Sequence, residues 1–200
     1  GGGAGAYVTS TGTSSVSYTS GYGTDQGYVT ITWTDSSESQ SFVYTGASQT
    51  FTVPNNINKI AFYCAGGGSG SGALGSQSSA AKVTGILNVT AGETLRVQVG
   101  GGGQGGWGST GNSSAGWPDG GLAGLSSYTA SNQGYRGTPY SGGGSSDIRQ
   151  GGTGLSNRVV IAGGAGGAGG ASTASNDLGY QGAFGGSNTA ANGGDGIGGI

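Results

Sequence analysis

The chain has 200 residues, 52 of them glycine, with three prolines, one cysteine, no histidine and a net charge of -2. A quarter glycine without a G-X-Y period excludes collagen, and so weak a charge offers no basic patch for nucleic acid or anionic membranes. A single cysteine excludes an intrachain disulfide, and no apolar run reaches the length of a membrane span.

Plain disorder also fits poorly. Disordered chains carry charge and lack aromatic and β-branched residues, whereas only 7% of this chain is charged and it holds ten Tyr and three Trp. A neutral surface of Ser, Thr, Asn, Gln and Gly favours self-contact and an extracellular or cell-surface location. The sequence begins without Met or a signal peptide and reads as a processed product or a segment of something longer.

In chain order, the first strong signal is Tyr28 to Trp33, where Val29, Ile31 and Trp33 share one face. Ser41 to Tyr44 and Gln49 to Val53 follow, then a turn at Pro54-Asn55-Asn56, then Lys59 to Cys64 with Ile60, Phe62 and Cys64 on one face. Alternation over five or six residues predicts strands. Val83 to Thr90 and Thr94 to Val99, joined by Ala91-Gly92-Glu93, read as a hairpin. Arg158 to Ala162 is apolar enough to be a central strand. No segment shows a 3.6-residue apolar period. The expectation is an all-β sandwich of about eight strands with essentially no α-helix.

Three glycine-rich stretches, 66–80, 100–156 and 163–200, separate the strands. Polyproline II helices rise ~3.1 Å per residue, so eight residues span about 25 Å, comparable to a strand. Packed side by side, such helices bond laterally and need glycine where their axes approach. On this view Gly66, Gly102 and Gly167 are each intolerant of a side chain.

Candidate sites are few. Without histidine, Cys64 lacks an imidazole partner and reads as a small core residue. The eight acidic residues form no calcium-loop spacing. Gly100 to Gly105 matches G-x-G-x-x-G only because glycine is everywhere, and no strand–helix context follows. Asp147-Ile148-Arg149 reads as a local ion pair ordering the turn before Arg158. No enzymatic activity, cofactor or metal is expected. Trp107, Trp117, Tyr128, Tyr135 and Tyr140 sit in the long glycine stretch. Trp107, Trp117, Tyr135 and Tyr140 are candidates for surface recognition of a receptor or glycan, although packing within the bundle or against a neighbouring subunit is the favoured role. Asn88-Val89-Thr90 and Asn112-Ser113-Ser114 match the glycosylation sequon, with Asn112 favoured because a loop is expected there.

Five stretches occur in a familiar order: Phe51-Thr52-Val53-Pro54; Ile60 to Gly68; Val89 to Gly103; Gly142 to Arg149; and Arg158 to Gly164. Over about residues 48–170 the chain resembles the glycine-rich domain of the anaplastic lymphoma kinase and leukocyte tyrosine kinase ectodomains. It resembles still more the bacterial and phage surface proteins that share that domain. The resemblance implies a β-sandwich carrying a bundle of polyproline II helices. It implies no signalling, because this chain has neither the kinase domain nor the disulfides.

In such units a closing strand of the Gly-Tyr-Val-Thr-Ile type follows the last glycine tract. Here that strand, Gly27 to Trp33, lies near the N-terminus. The expectation is therefore that residues 1–35 complete a neighbouring unit, with Tyr28, Val29, Ile31 and Trp33 as the assembly interface, and that 36–200 form the sandwich and glycine bundle. Copies would then join head to tail as a subunit or tandem repeat of an extracellular filament. The alternative is a phage-tip or cell-surface adhesin binding a receptor or glycan through loop tips. Irregular interruptions of the glycine runs argue against an ice-binding plane.

Overall fold

A computed structural model describes residues 5–23, 25–33, 37–70, 77–105, 114–123 and 140–167. Among them are ten strands: β1 (Tyr7–Val8), β2 (Thr13–Thr19), β3 (Tyr28–Trp33), β4 (Glu38–Val43), β5 (Gln49–Thr52), β6 (Lys59–Ala65), β7 (Lys82–Asn88), β8 (Thr94–Gln98), β9 (Ser146–Arg149) and β10 (Arg158–Ala162). The only helical element among the described residues is a single 3-10 turn, Leu155–Asn157.

The strands form two five-stranded antiparallel sheets, ordered β1-β10-β9-β8-β5 and β2-β7-β6-β3-β4. The alternation read from the sequence sets the inner faces. Val29 and Ile31 of β3, Ile60, Phe62 and Cys64 of β6, and Val83 and Leu87 of β7 line one sheet. Phe51, Leu95, Val97, Ile148 and Val160 line the other, and the two sets merge into one core. Fully burying a Val, Leu or Ile contributes roughly 1.5–3 kcal/mol, so this seam dominates the folding energy.

β7 and β8 do not form a hairpin. β7 pairs with β6 and β2, whereas β8 pairs with β5 and β9 in the opposite sheet. The connection is an arch across the sandwich edge. Val89 N–H donates to Asn58 O at 3.0 Å and Gly92 N–H to Val53 O at 2.9 Å, so backbone bonds to residues distant in sequence carry the chain away from β7. Asp147 to Arg149 lies in β9, which pairs on both sides, and Arg149 donates to the Thr153 carbonyl in the segment that turns before Arg158.

The described parts of the glycine stretches build a lattice that continues the sheets, and 71–76, 106–113, 124–139 and 168–200 lie outside the described residues. Residues 140–145 bond to stretches 67–70, 101–104 and 116–121 and to Ala165, whereas a strand in a sheet has two neighbours. The bonds recur every third residue. Gly67 and Gly70 donate to Gly144 and Ser141; Gly144 and Ser141 donate to Gly101 and Gln104; Gly101 and Gln104 donate to Trp117 and Ser114. A repeat of three is that of the polyproline II helix. Close approach follows from the missing Cβ. At Gly67 a Cβ would strike the Gly101 carbonyl, whose carbon lies 2.6 Å away, and at Gly66 it would strike Gly163, carbon at 2.7 Å. A Cβ at Gly167 would meet the Tyr140 carbonyl. Gly102 departs from the expectation: the nearest atoms to its Cβ, in Asp25, stand at 3.5 Å, an ordinary contact.

Candidate recognition and assembly surfaces

β3 holds four of the residues expected at a junction between copies, and it lies inside its own chain. It pairs with β4 over Tyr28↔Val43 to Trp33↔Glu38 and with β6 over Tyr28↔Ala65 to Thr32↔Ala61. Val29 and Ile31 are fully buried in the chain's own core. Trp33 packs on Phe51, ring centroids 5.2 Å apart, and its Nε1 donates to Glu38 Oε2 at 2.5 Å. β1 and β2 also pair within the chain, with β10 and β7. β1, β2 and β3, the strands described within 1–35, are thus part of this sandwich. The reason is geometric: β3 is joined to β4 as a hairpin, so the place between β4 and β6 is filled from within.

Tyr28 faces outward from that strand, with Thr30 and Thr32, and it opens a cluster that the sequence did not single out. Its ring stacks on Tyr63 of β6 at 4.9 Å with 13° between planes. Tyr22 meets Tyr63 edge-on at 5.8 Å, and the Tyr22 and Tyr28 hydroxyls lie 3.1 Å apart. Lys82 Nζ of β7 sits 4.4 Å from the Tyr22 ring centroid and 5.4 Å from that of Tyr63, a cation–π arrangement. The hydrogen bond from Tyr28 holds the Tyr22 phenol below its ordinary value, while burial raises those of Tyr28 and Tyr63. The available signal was parity: Tyr28 and Tyr63 both fall on the face opposite the core residues of their strands.

The candidate recognition aromatics divide. Tyr140 is 8% exposed and bridges to Gly105 inside the lattice, so it is not a surface residue. The physical reason is that its backbone belongs to the most densely bonded lattice stretch. Trp117 is half-buried, 6.4 Å from the Tyr44 ring, and its carbonyl accepts the Gly101 N–H at 2.7 Å. Leu122, on the same 114–123 segment, is 70% exposed. Trp107, Tyr128, Tyr135 and Asn112 lie outside the described residues. Asn88 is exposed at the end of β7.

On the outer side of the first sheet lies a buried charge network. Asp147 is fully buried and accepts from Arg149 Nε at 2.9 Å, Arg149 Nη2 at 3.0 Å and Arg158 Nε at 2.6 Å. Arg149 Nη2 also donates to Gln98 Oε1 at 2.7 Å, and Nη1 donates to Thr153 O. Arg158 reaches Asp119 at 3.6 Å, and Asp119 accepts from the Ser145 N–H and hydroxyl at 2.7 and 2.6 Å. The expected Asp147–Arg149 ion pair is present and is larger than expected. It ties β9 and β10 to the 117–120 turn of the lattice, a positioning role without reactive geometry.

Cys64 is buried on the inner face, its Sγ 3.5 Å from Ser146 O, and burial together with the Asp147 charge pushes its thiol up. The protonated form is therefore held in the core, away from nucleophilic chemistry. Among the described residues no group of His, Cys, Asp or Glu is arranged to hold a metal ion, and no helix is long and apolar enough to cross a membrane.

The chain matches no family model, no curated protein and no solved structure.

Proposed function

We propose that this chain is a closed, non-enzymatic module of an extracellular or cell-surface protein that works by contact, as an adhesin presenting its surface to a receptor or glycan. The observation carrying this reading over the filament is the place of β3: its apolar face is used within its own chain, so the position between β4 and β6 is not left for a neighbour's strand. The neutral composition and the absence of histidine support contact rather than catalysis. The 114–123 segment, with half-exposed Trp117 and exposed Leu122, is the surface we assign to recognition. An aromatic ring on a rigid support stacks on a sugar face or anchors a protein contact.

Negative-stain microscopy and a glycan array together test the reading. Discrete particles that bind a glycan or cell surface, with binding lost in Trp117→Ala at unchanged melting temperature, are the expected result. Long fibres from the isolated chain would return the filament to first place.

A further inference from the structure

Alternation of backbone direction shows which groups the edge strand β4 leaves unpaired. Asn88 N–H donates to Gly12, on the β2 side, and Val89 N–H donates to Asn58, on the β6 side. Even-numbered residues of β7 therefore point toward β2 and odd-numbered ones toward β6. Carried through the registers Cys64↔Val83, Thr30↔Tyr63 and Val29↔Phe42, this makes Glu38, Gln40 and Phe42 bond β3. Ser39, Ser41 and Val43 direct their N–H and C=O groups out of the sheet. The Val43 carbonyl confirms the parity, since it accepts from the Gln49 side chain at 2.9 Å. Ser39 and Ser41 keep a donor and an acceptor each, with no partner among the described residues.

The other described edges are poorer templates. β1 has two residues and β5 four. β2 is interrupted by a register shift between Ser14 and Ser17, with Ser15 at φ 52°. β4 runs six residues in unbroken register, without proline, lysine or bulge. Edge strands normally carry such protection against pairing. The one charge on β4, Glu38, is engaged by Trp33.

We propose that β4 pairs with β4 of a second copy of this chain, antiparallel, about a two-fold axis at Gln40. Ser39 of each copy then lies opposite Ser41 of the other and exchanges both N–H···O bonds, four in all. Two observations select a second copy as the occupant. The free groups are self-complementary about Gln40, and the Val43 carbonyl, already taken, ends the pairing where a longer foreign strand would continue. The two-fold also places each Glu38 opposite Phe42 of the other copy, so no like charges meet. The contact is small, so the dimer is weak and concentration-dependent.

Gln40→Cys tests this directly. Residues at the two-fold form a non-hydrogen-bonded pair with Cα atoms about 4.5 Å apart, within disulfide range. Native Cys64 is buried and adds no background. Under mild oxidation, Gln40→Cys should give a covalent dimer on non-reducing gels, while Ser17→Cys on the β2 edge stays monomeric. Sedimentation of the native chain should shift toward dimer with concentration. Ser41→Pro removes two of the four bonds and should weaken the dimer by about tenfold or more. Ser41→Lys, which leaves the backbone intact, should weaken it in the same direction if the proline variant does not fold. Cross-linking of Gln40→Cys no greater than that of Ser17→Cys, or a native chain monomeric at every concentration, overturns the proposal. None of these readouts depends on glycan or receptor binding.

Discussion

The sandwich and the glycine lattice solve the same problem with opposite materials. In the sandwich, side chains such as Ile31, Leu95 and Ile148 fill the space between two sheets, and the backbone bonds only along each sheet. In the lattice there are almost no side chains to bury, and the backbone bonds in several lateral directions at once. The sandwich gains its energy from apolar burial. The lattice gains close backbone contact and saturated hydrogen bonds, against a large entropy cost for ordering glycine. Each region therefore has its own characteristic weakness: lost volume in one, added volume in the other. The Asp147–Arg149–Arg158 network joins the two, because Asp119 of the lattice and Asp147 of β9 share Arg158.

The junction is expected to be the most sensitive point. Asp147→Ala leaves the Arg149 and Arg158 guanidinium groups without their buried carboxylate, and should cost about 3–5 kcal/mol. Chemical denaturation measures it; a loss below about 1 kcal/mol would mean that solvent replaces the carboxylate and that the two regions are not joined there. Within the sandwich, Leu95→Ala removes a fully buried side chain and should cost about 2–5 kcal/mol.

The lattice should respond the other way round. Gly67→Ala adds a single methyl against the Gly101 backbone, which cannot rotate away as a side chain would. About 1–3 kcal/mol is expected, the cost of overpacking. Gly102→Ala and Gly121→Ala meet no atom closer than 3.5 Å and should stay within about 0.5 kcal/mol. Equal melting temperatures for all three would dissolve the distinction between lattice and loop.

Alkaline pH probes the core by a smaller effect. The Cys64 thiol is raised above its ordinary value of 9.0 in the folded chain, so the folded state keeps a proton that the unfolded state releases. That stabilisation is complete below pH 9 and declines above it, by up to about 1.4 kcal/mol per pH unit. The Tyr63 phenol, raised by burial from 10.0, adds to the decline at higher pH. In Cys64→Ala the onset should move upward, as read from melting temperatures between pH 8 and 11. An onset unchanged by the substitution would assign the effect to the tyrosines alone.

The sequence by itself determined the elements whose signal is local. Alternation in Tyr28 to Trp33, Lys59 to Cys64 and Thr94 to Val99 marked the strands and their inner faces, because a period of two survives whatever the strand pairs with. Clustered glycine with many aromatics pointed to packed extended chains. The Asp147–Arg149 pair was legible because its members are two residues apart on one face. β1, with two residues, and β2, interrupted by its register shift, carried too little alternation to be seen. Only the tertiary structure decided which sheet each strand joins. Ala91-Gly92-Glu93 serves a hairpin or an arch equally well, and bonds to Asn58 and Val53, far away in the chain, turned it into an arch. Partners distant in sequence also separate Gly67 from Gly102, identical as letters, and bury Tyr140 while leaving Trp117 at the surface. They give β3 its place as well: position in the chain suggested a strand for a neighbour, but the site between β4 and β6 lies within reach of its own hairpin, and the chain fills it.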